Sequence, residues 1–265
     1  MDLGISGKVA LVTGGSRGMG LDVAHQLAAE GCRVAVVART PADIDKAVAA
    51  VEERGGTAMG VRADITDPED VRHAVQAVRA AFGPPLIVIG QTTYNAPGDF
   101  ADITDLTHYE ASFRSYTMSQ VYLLHAVLPG MQEAGWGRFV HIGSATAKEP
   151  VGNIHHAVAN ATRPSTTGLL KTVSDEYAQY GITVNTVAPG WIETANAAAY
   201  LRDQVGLTTE QERQEWMRTF AGVPAARMGR PDEIASTIVY LCSEQAGYVT
   251  GNWIEVDGGH HRSAF

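Results

Sequence analysis

Thr13-Gly14-Gly15-Ser16-Arg17-Gly18-Met19-Gly20 stands directly after the apolar run Val9-Ala10-Leu11-Val12. A helical pattern follows in which Leu21, Val23, Ala24, Leu27 and Ala28 recur on one face. A strand feeding a glycine-rich turn that opens a helix presents unpaired backbone N–H groups, and the chemistry such a turn performs is the binding of a pyrophosphate. Glycine is needed because a side chain would obstruct the turn or the phosphate. Gly14, Ser16, Arg17, Gly18, Met19 and Gly20 are therefore candidate phosphate-side contacts of a dinucleotide.

One helix and one apolar run later (Arg33-Val34-Ala35-Val36-Val37) comes Ala38-Arg39, about where a dinucleotide fold reads the adenosine ribose. An acidic residue would accept a hydrogen bond from the 2′-hydroxyl of NAD. Ala38 cannot, whereas Arg39 with Arg17 offers two guanidinium groups to a 2′-phosphate. The reading favours NADP(H); the alternative is two solvated surface arginines.

The elements that must position these residues alternate regularly. Strand patterns fall at about 8–13, 33–38, 57–62, 85–90, 137–142, 182–187 and 252–256, with helical patterns between them. Strands that are apolar without alternation are buried on both faces, and with intervening helices they predict a doubly wound, seven-stranded parallel sheet, a single α/β Rossmann domain over 1–265. Ligands of such sheets bind beyond the carboxyl ends of the strands, so the segments that follow each strand are where function is expected.

With 265 residues, 45% of them apolar, the chain can bury one large core. The net charge of −9 with scattered basic residues argues against a nucleic-acid surface, and no apolar stretch approaches the ~20 residues of a membrane span. Cys32 and Cys242 fit a reduced, cytoplasmic protein, although a pair does not exclude a disulfide.

The chain resembles the short-chain dehydrogenase/reductase family along essentially its whole length, most nearly the bacterial 3-oxoacyl-carrier-protein reductase type. Thr13 to Gly20 looks like the family's cofactor turn, and Asp64-Ile65 stands where the family contacts adenine. Asn185-Thr186-Val187-Ala188-Pro189-Gly190 is similar to the strand end that frames the nicotinamide, with Ile192 and Thr194 following. Gly229 to Ala235 and Gly251 to Gly259 resemble the start of the last long helix and the final strand. The resemblance implies cofactor contacts at Asp64, Ile65, Pro189, Gly190, Ile192 and Thr194, a small-molecule substrate, and a homodimer or homotetramer.

It also implies a mechanism in which a tyrosine protonates the substrate carbonyl, a lysine four residues on assists it, and a serine orients the carbonyl. Ser144 matches the serine. Counting back from Pro189-Gly190, the tyrosine and lysine positions fall on Ala159 and Arg163; counting forward from Ser144 they fall on Ala157 and Ala161. Neither register contains the pair. The backward count is preferred because it needs only a two-residue insertion in the loop 145–158. The family's Asn-Asn-Ala-Gly is replaced near Gly90-Gln91-Thr92-Thr93, and its water-holding asparagine by Tyr116. Ser144, Lys148, Pro150, Asn160 and Arg163 are similar to an arrangement in divergent family members.

Pro164 disfavours helix at Arg163, which predicts Arg163 at the N-cap of a helix that starts late or kinks, with 145–162 as a rebuilt wall. Arginine can bind ribose hydroxyls or an oxyanion but is a poor proton donor. The candidate donors are His156 and Lys148, then His155 and Tyr94, each of which could equally be a surface or packing residue. The stretch of about 191–225 would hold the substrate, where Trp191, Tyr200, Trp216, Met217 and Phe220 build an apolar lid or helix core. The leading expectation is an NADPH-dependent carbonyl reductase with an unusual proton donor, acting on a hydrophobic or carrier-bound ketone and holding no metal. The competing ones are a dehydratase, cyclase or isomerase on the same scaffold and a non-catalytic NADPH-binding subunit.

Overall fold

The computed structural model describes residues 2–94, 98–150 and 155–263. Seven parallel strands form one sheet: β1 (Val9–Thr13), β2 (Arg33–Ala38), β3 (Thr57–Arg62), β4 (Ile87–Gly90), β5 (Gly137–Ile142), β6 (Ile182–Pro189) and β7 (Trp253–Val256), in the order β3-β2-β1-β4-β5-β6-β7. Every strand lies within two residues of its predicted range. The connecting helices are α1 (Gly18–Ala29), α2 (Pro41–Glu52), α3 (Pro68–Phe82), α4 (Thr107–Phe113), α5 (Ser119–Ala134), α6 (Ala157–Tyr177), α7 (Ala195–Asp203), α8 (Glu210–Thr219) and α9 (Pro231–Leu241).

The period-two geometry of a strand sends alternate side chains to opposite faces, so a strand apolar at every position feeds two cores. Ala10, Val12, Val34 and Val36 join Val23, Leu27, Ile234 and Ile238 of α1 and α9 on one face. Val9, Leu11, Ala35 and Val37 join Val71, Val78, Leu123 and Leu170 of α3, α5 and α6 on the other. Cys32 and Cys242 are both free and buried in the first core; burial pushes the Cys32 thiol up to about 12 and raises that of Cys242 as well, so both behave as small packing residues.

The chain winds outward in both directions from β1 and β4, which makes the gap between their carboxyl ends the topological switch point. Buried Thr13 closes that gap from below. Its hydroxyl accepts from the Gln91 N–H at 2.7 Å and lies 2.9 and 3.1 Å from the carbonyls of Gln91 and Ile89, to one of which it donates.

The expected late start of α6 is corrected by the structure. The helix begins at Ala157 with His156 at its N-cap, and Pro164 lies inside it, which places Arg163 in the second turn. The preference against helix before proline is overridden by tertiary hydroxyl contacts. Thr162 bonds Ser112 at 2.7 Å, Ser165 bonds Thr117 at 2.6 Å, and Thr166 donates to the Tyr116 carbonyl at 3.0 Å, which seals the first half of α6 against the helices that follow β4. The expected insertion in the loop 145–158 falls partly on 151–154, which lie outside the described residues.

Thr13→Val keeps the shape of the side chain but strands the half-buried Gln91 N–H. It is expected to lower stability by about 1–3 kcal/mol in urea denaturation; an unchanged midpoint would show that the hydroxyl does not hold the two strand ends together.

Candidate active site

Gly14 and Gly18 adopt left-handed φ values of 62° and 53°, which let the chain turn from β1 into α1. A Cβ on Gly20 would sit 2.4 Å from the Gly14 carbonyl oxygen and 2.7 Å from Gln91 Oε1, so the turn closes only around glycine there. α1 receives no side-chain cap from Arg17, which leaves its first-turn N–H groups for a ligand. Gln91 Oε1, beside this turn, is buried with no hydrogen-bond partner among the described residues. Uncapped donors, a glycine-lined cradle and an orphan acceptor together fit a dinucleotide.

Arg17 and Arg39 are exposed, Arg39 immediately beyond β2, and neither forms an ion pair among the described residues. Asp64 is held locally, its Oδ1 accepting from the N–H and hydroxyl of Thr66 at 3.0 and 2.8 Å, while Ile65 packs on the second core.

A cavity of about 450 Å³ opens beyond the strand ends. Met19, Ser144, Arg163, Pro189, Gly190, Ile192 and Thr194 all line it, so residues predicted from distant parts of the chain meet there. Thr194 caps α7 by accepting from the Ala197 N–H at 3.3 Å. Trp191 and Tyr200 line the outer part, Trp191 standing edge-on to Trp216, which stacks on Phe220; Met217 is fully buried with Leu201, Ala221 and Val223 in a small third core. The aromatic stretch thus supplies both lid and packing.

Ser144 ends the segment after β5. Arg163 Nη1 donates to Thr146 Oγ1 at 2.8 Å and reaches Ser144 Oγ at 3.4 Å, while Arg163 Nη2 donates to the Tyr116 hydroxyl at 3.1 Å. The guanidinium carbon lies 5.0 Å from the centre of the Tyr116 ring. Tyr116 belongs to a π-helical segment, Arg114–Met118, between α4 and α5. No carboxylate among the described residues lines the cavity, so Arg163 meets hydroxyls only.

The donor candidates separate. Lys148 is drawn away from the cavity to Glu255 of β7 at 3.0 Å and does not line it, which corrects its expected place beside the substrate. His155 pairs with Asp99 on the surface. Tyr94 lines the cavity, its hydroxyl 2.8 Å from His108 Nδ1. His156 lines it too, with its pKa lowered by burial first and then by Arg163 and His155, which disfavours the protonated form that would act as acid.

Two cavity-lining residues, Tyr116 and His141, and Thr146, which bonds Arg163 beside the cavity, were not singled out as candidates from sequence. Tyr116 carried a signal, as the replacement of a functional asparagine; Thr146 and His141 carried none. His141 is buried at the end of β5 with Nδ1 3.0 Å from the Gly90 carbonyl, and burial lowers its pKa to about 4. The neutral ring donates through Nδ1, which fixes Nε2 as an acceptor.

A family model described as enoyl-(acyl carrier protein) reductase matches residues 14–261. The 3-oxoacyl-[acyl-carrier-protein] reductase FabG of Vibrio cholerae is 33% identical over 97% of this chain and 98% of its own length. The chain belongs to the short-chain dehydrogenase/reductase family. Among solved family structures, L-sorbose reductase from Gluconobacter frateurii, complexed with NADPH and L-sorbose, is 29% identical with a TM-score of 0.91, covering 99% of this chain and 100% of that one. The NADPH-bound short-chain oxidoreductase of Pseudomonas aeruginosa PAO1 containing an atypical catalytic center is 27% identical, with a TM-score of 0.89 over 97% and 98% of the two chains. In this short-chain dehydrogenase/reductase, Ala159 and Arg163 occupy successive turns of α6, and the phenol that meets the cation comes from a different helix.

The buried histidine sets a pH dependence. Its folded-state pKa of about 4 lies below the ordinary 6.5, so the unfolded chain binds the proton first as pH falls. This contribution to stability is full above pH 6.5 and is lost between 6.5 and 4, by about 3 kcal/mol in all. His141→Gln, which keeps a donor for Gly90, is expected to flatten stability across that window in denaturant titrations at a series of pH values. An equally steep dependence in the variant would assign it to other groups.

Proposed function

We propose that the protein is an NADPH-dependent carbonyl reductase acting on a hydrophobic or carrier-bound ketone. The observation that carries this reading is the single cavity in which Met19 of the cofactor turn, Ser144, Arg163 and the aromatic wall of Trp191 and Tyr200 come together. The reductase relatives and their NADPH complexes support it.

The α1 N-terminus and its glycines would hold the pyrophosphate, and Arg17 with Arg39 the 2′-phosphate. Asp64 and Ile65 would flank the adenine, while Pro189, Gly190, Ile192 and Thr194 would frame the nicotinamide. When bound, the cofactor supplies a hydride to the carbonyl carbon. Ser144 holds the carbonyl oxygen by donating to it, and Arg163 presents its fork to ribose hydroxyls and to the charge that develops on oxygen. Trp191 and Tyr200 exclude water and accept an apolar substrate body. The protein works as a cytoplasmic homodimer or homotetramer.

A panel of β-tetralone, ethyl acetoacetate and acetoacetyl-N-acetylcysteamine tests the reaction. NADPH absorbance is expected to fall in step with alcohol formed, and Arg39→Asp is expected to weaken NADPH binding while relatively favouring NADH. Product without a nicotinamide change would indicate a reaction with no net hydride transfer, and equal NADPH affinity in parent and variant would reject the 2′-phosphate contact. Sedimentation at micromolar concentration is expected to give a dimer or tetramer; a monomer would refute the assembly.

A further inference from the structure

Tyr116 combines features that no other phenol of the cavity shares. Its oxygen accepts from Arg163 Nη2 at 3.1 Å and from the Tyr94 N–H at 3.3 Å, which occupies both acceptor positions of a hydroxyl. What remains is its proton, directed at the Tyr94 carbonyl 3.2 Å away. That is long for an O–H donor, whose bonds usually measure about 2.5–3.0 Å, so a substrate carbonyl can compete for it. Arg163 reaches Tyr116 with one terminal nitrogen and Ser144 with the other, which keeps both hydroxyls on one rigid planar group. The ring is almost wholly buried and its π-helical segment is pinned to α6 through Thr166 and Thr117, so the hydroxyl is held in place before substrate arrives.

On the reductase reading above, we propose that Tyr116 is the proton donor of this active site and that Arg163 is the residue that positions it. The Tyr116 O–H bond breaks and a new O–H bond forms on the carbonyl oxygen, while the carbonyl carbon gains the hydride that NADPH supplies. Alcohol and NADP⁺ result, and the phenolate regains a proton from water. Arg163 donates to the phenol oxygen, the atom that carries negative charge after the transfer. Three departures from the family pattern then form one rearrangement: the phenol is lost at 159, an arginine replaces the lysine at 163, and a phenol stands at 116 in contact with that arginine.

The test uses the full-length protein. Tyr116→Phe is expected to lower ketone turnover by about 10²–10⁴-fold, with the NADPH dissociation constant, read by nicotinamide fluorescence, changed less than about threefold. In the non-reacting complex with NADP⁺ and β-tetralone, the infrared carbonyl stretch is expected to move to lower wavenumber in the parent and in His156→Ala, and to return toward its free value in Tyr116→Phe. Replacing Tyr116 by 3-fluorotyrosine keeps the ring and hydroxyl but makes the phenol more acidic; it is expected to move the pH profile of turnover to lower pH, which a packing role would not do. Arg163→Lys is expected to restore part of the kcat that Arg163→Gln loses. A carbonyl shift undiminished in Tyr116→Phe, where Ser144 alone still donates, or lost in His156→Ala, would overturn the assignment. Failure of the parent to bind or reduce any ketone of the panel would overturn the reductase reading and this proposal with it, whereas turnover retained by Tyr116→Phe would overturn the donor alone.

Discussion

Burial of the sheet on both faces is the constraint from which the rest of this molecule follows. The strands use their backbone donors and acceptors in the ladders, and their side chains are divided between two apolar cores, so polar chemistry is confined to the strand ends. One such place is the switch point between β1 and β4. There the Thr13 hydroxyl joins the two strand ends, and the turn into α1 leaves helix N–H groups uncapped. The glycine-rich turn and the cavity lined by Ser144 and Arg163 are adjacent because both open at the carboxyl ends of the strands.

The reaction side of the cavity is held together by one guanidinium. Arg163 bonds three hydroxyls from two segments: Ser144 and Thr146 after β5 and Tyr116 before α5. Its usefulness depends on α6 continuing through Pro164, since a helix starting at 163 would have put Arg163 in a flexible cap. A row of small hydroxyls on α6 and on the facing helix maintains that continuity. The proline removes one helical donor, and the side-chain bonds across the helix pair compensate.

The outer wall has a different origin. Leu201, Met217, Ala221 and Val223 form a core separate from the two that flank the sheet, so the aromatic wall rests on its own packing beside the cavity. Trp191 links that small core to β6, which ends at Pro189 beside the cavity. The aromatic wall and the Pro189-Gly190 side of the cavity are thus joined through a few residues at one strand end.

Amino-acid order alone determined the sheet, because the nearly all-apolar runs of β1, β2 and β4, spaced from the other strands by amphipathic helices, have few other ways to bury themselves. It also determined the cofactor turn, whose Gly14, Gly18 and Gly20 answer to local backbone geometry. Ala159 and Arg163, which stand where the resemblance implies a tyrosine and a lysine, were legible for the same reason, as a matter of residue identity. Tertiary structure alone decided what Arg163 meets. Lys148 and Arg163 are both cations near Ser144 in sequence, yet Glu255, more than a hundred residues away, takes Lys148 out of the cavity. Tyr116 stands 47 residues from Arg163 and meets it only because α6 packs on the helix pair after β4. Local propensity could not foresee either outcome, nor the start of α6 at Ala157, since each is set by contacts between elements that are remote in the chain.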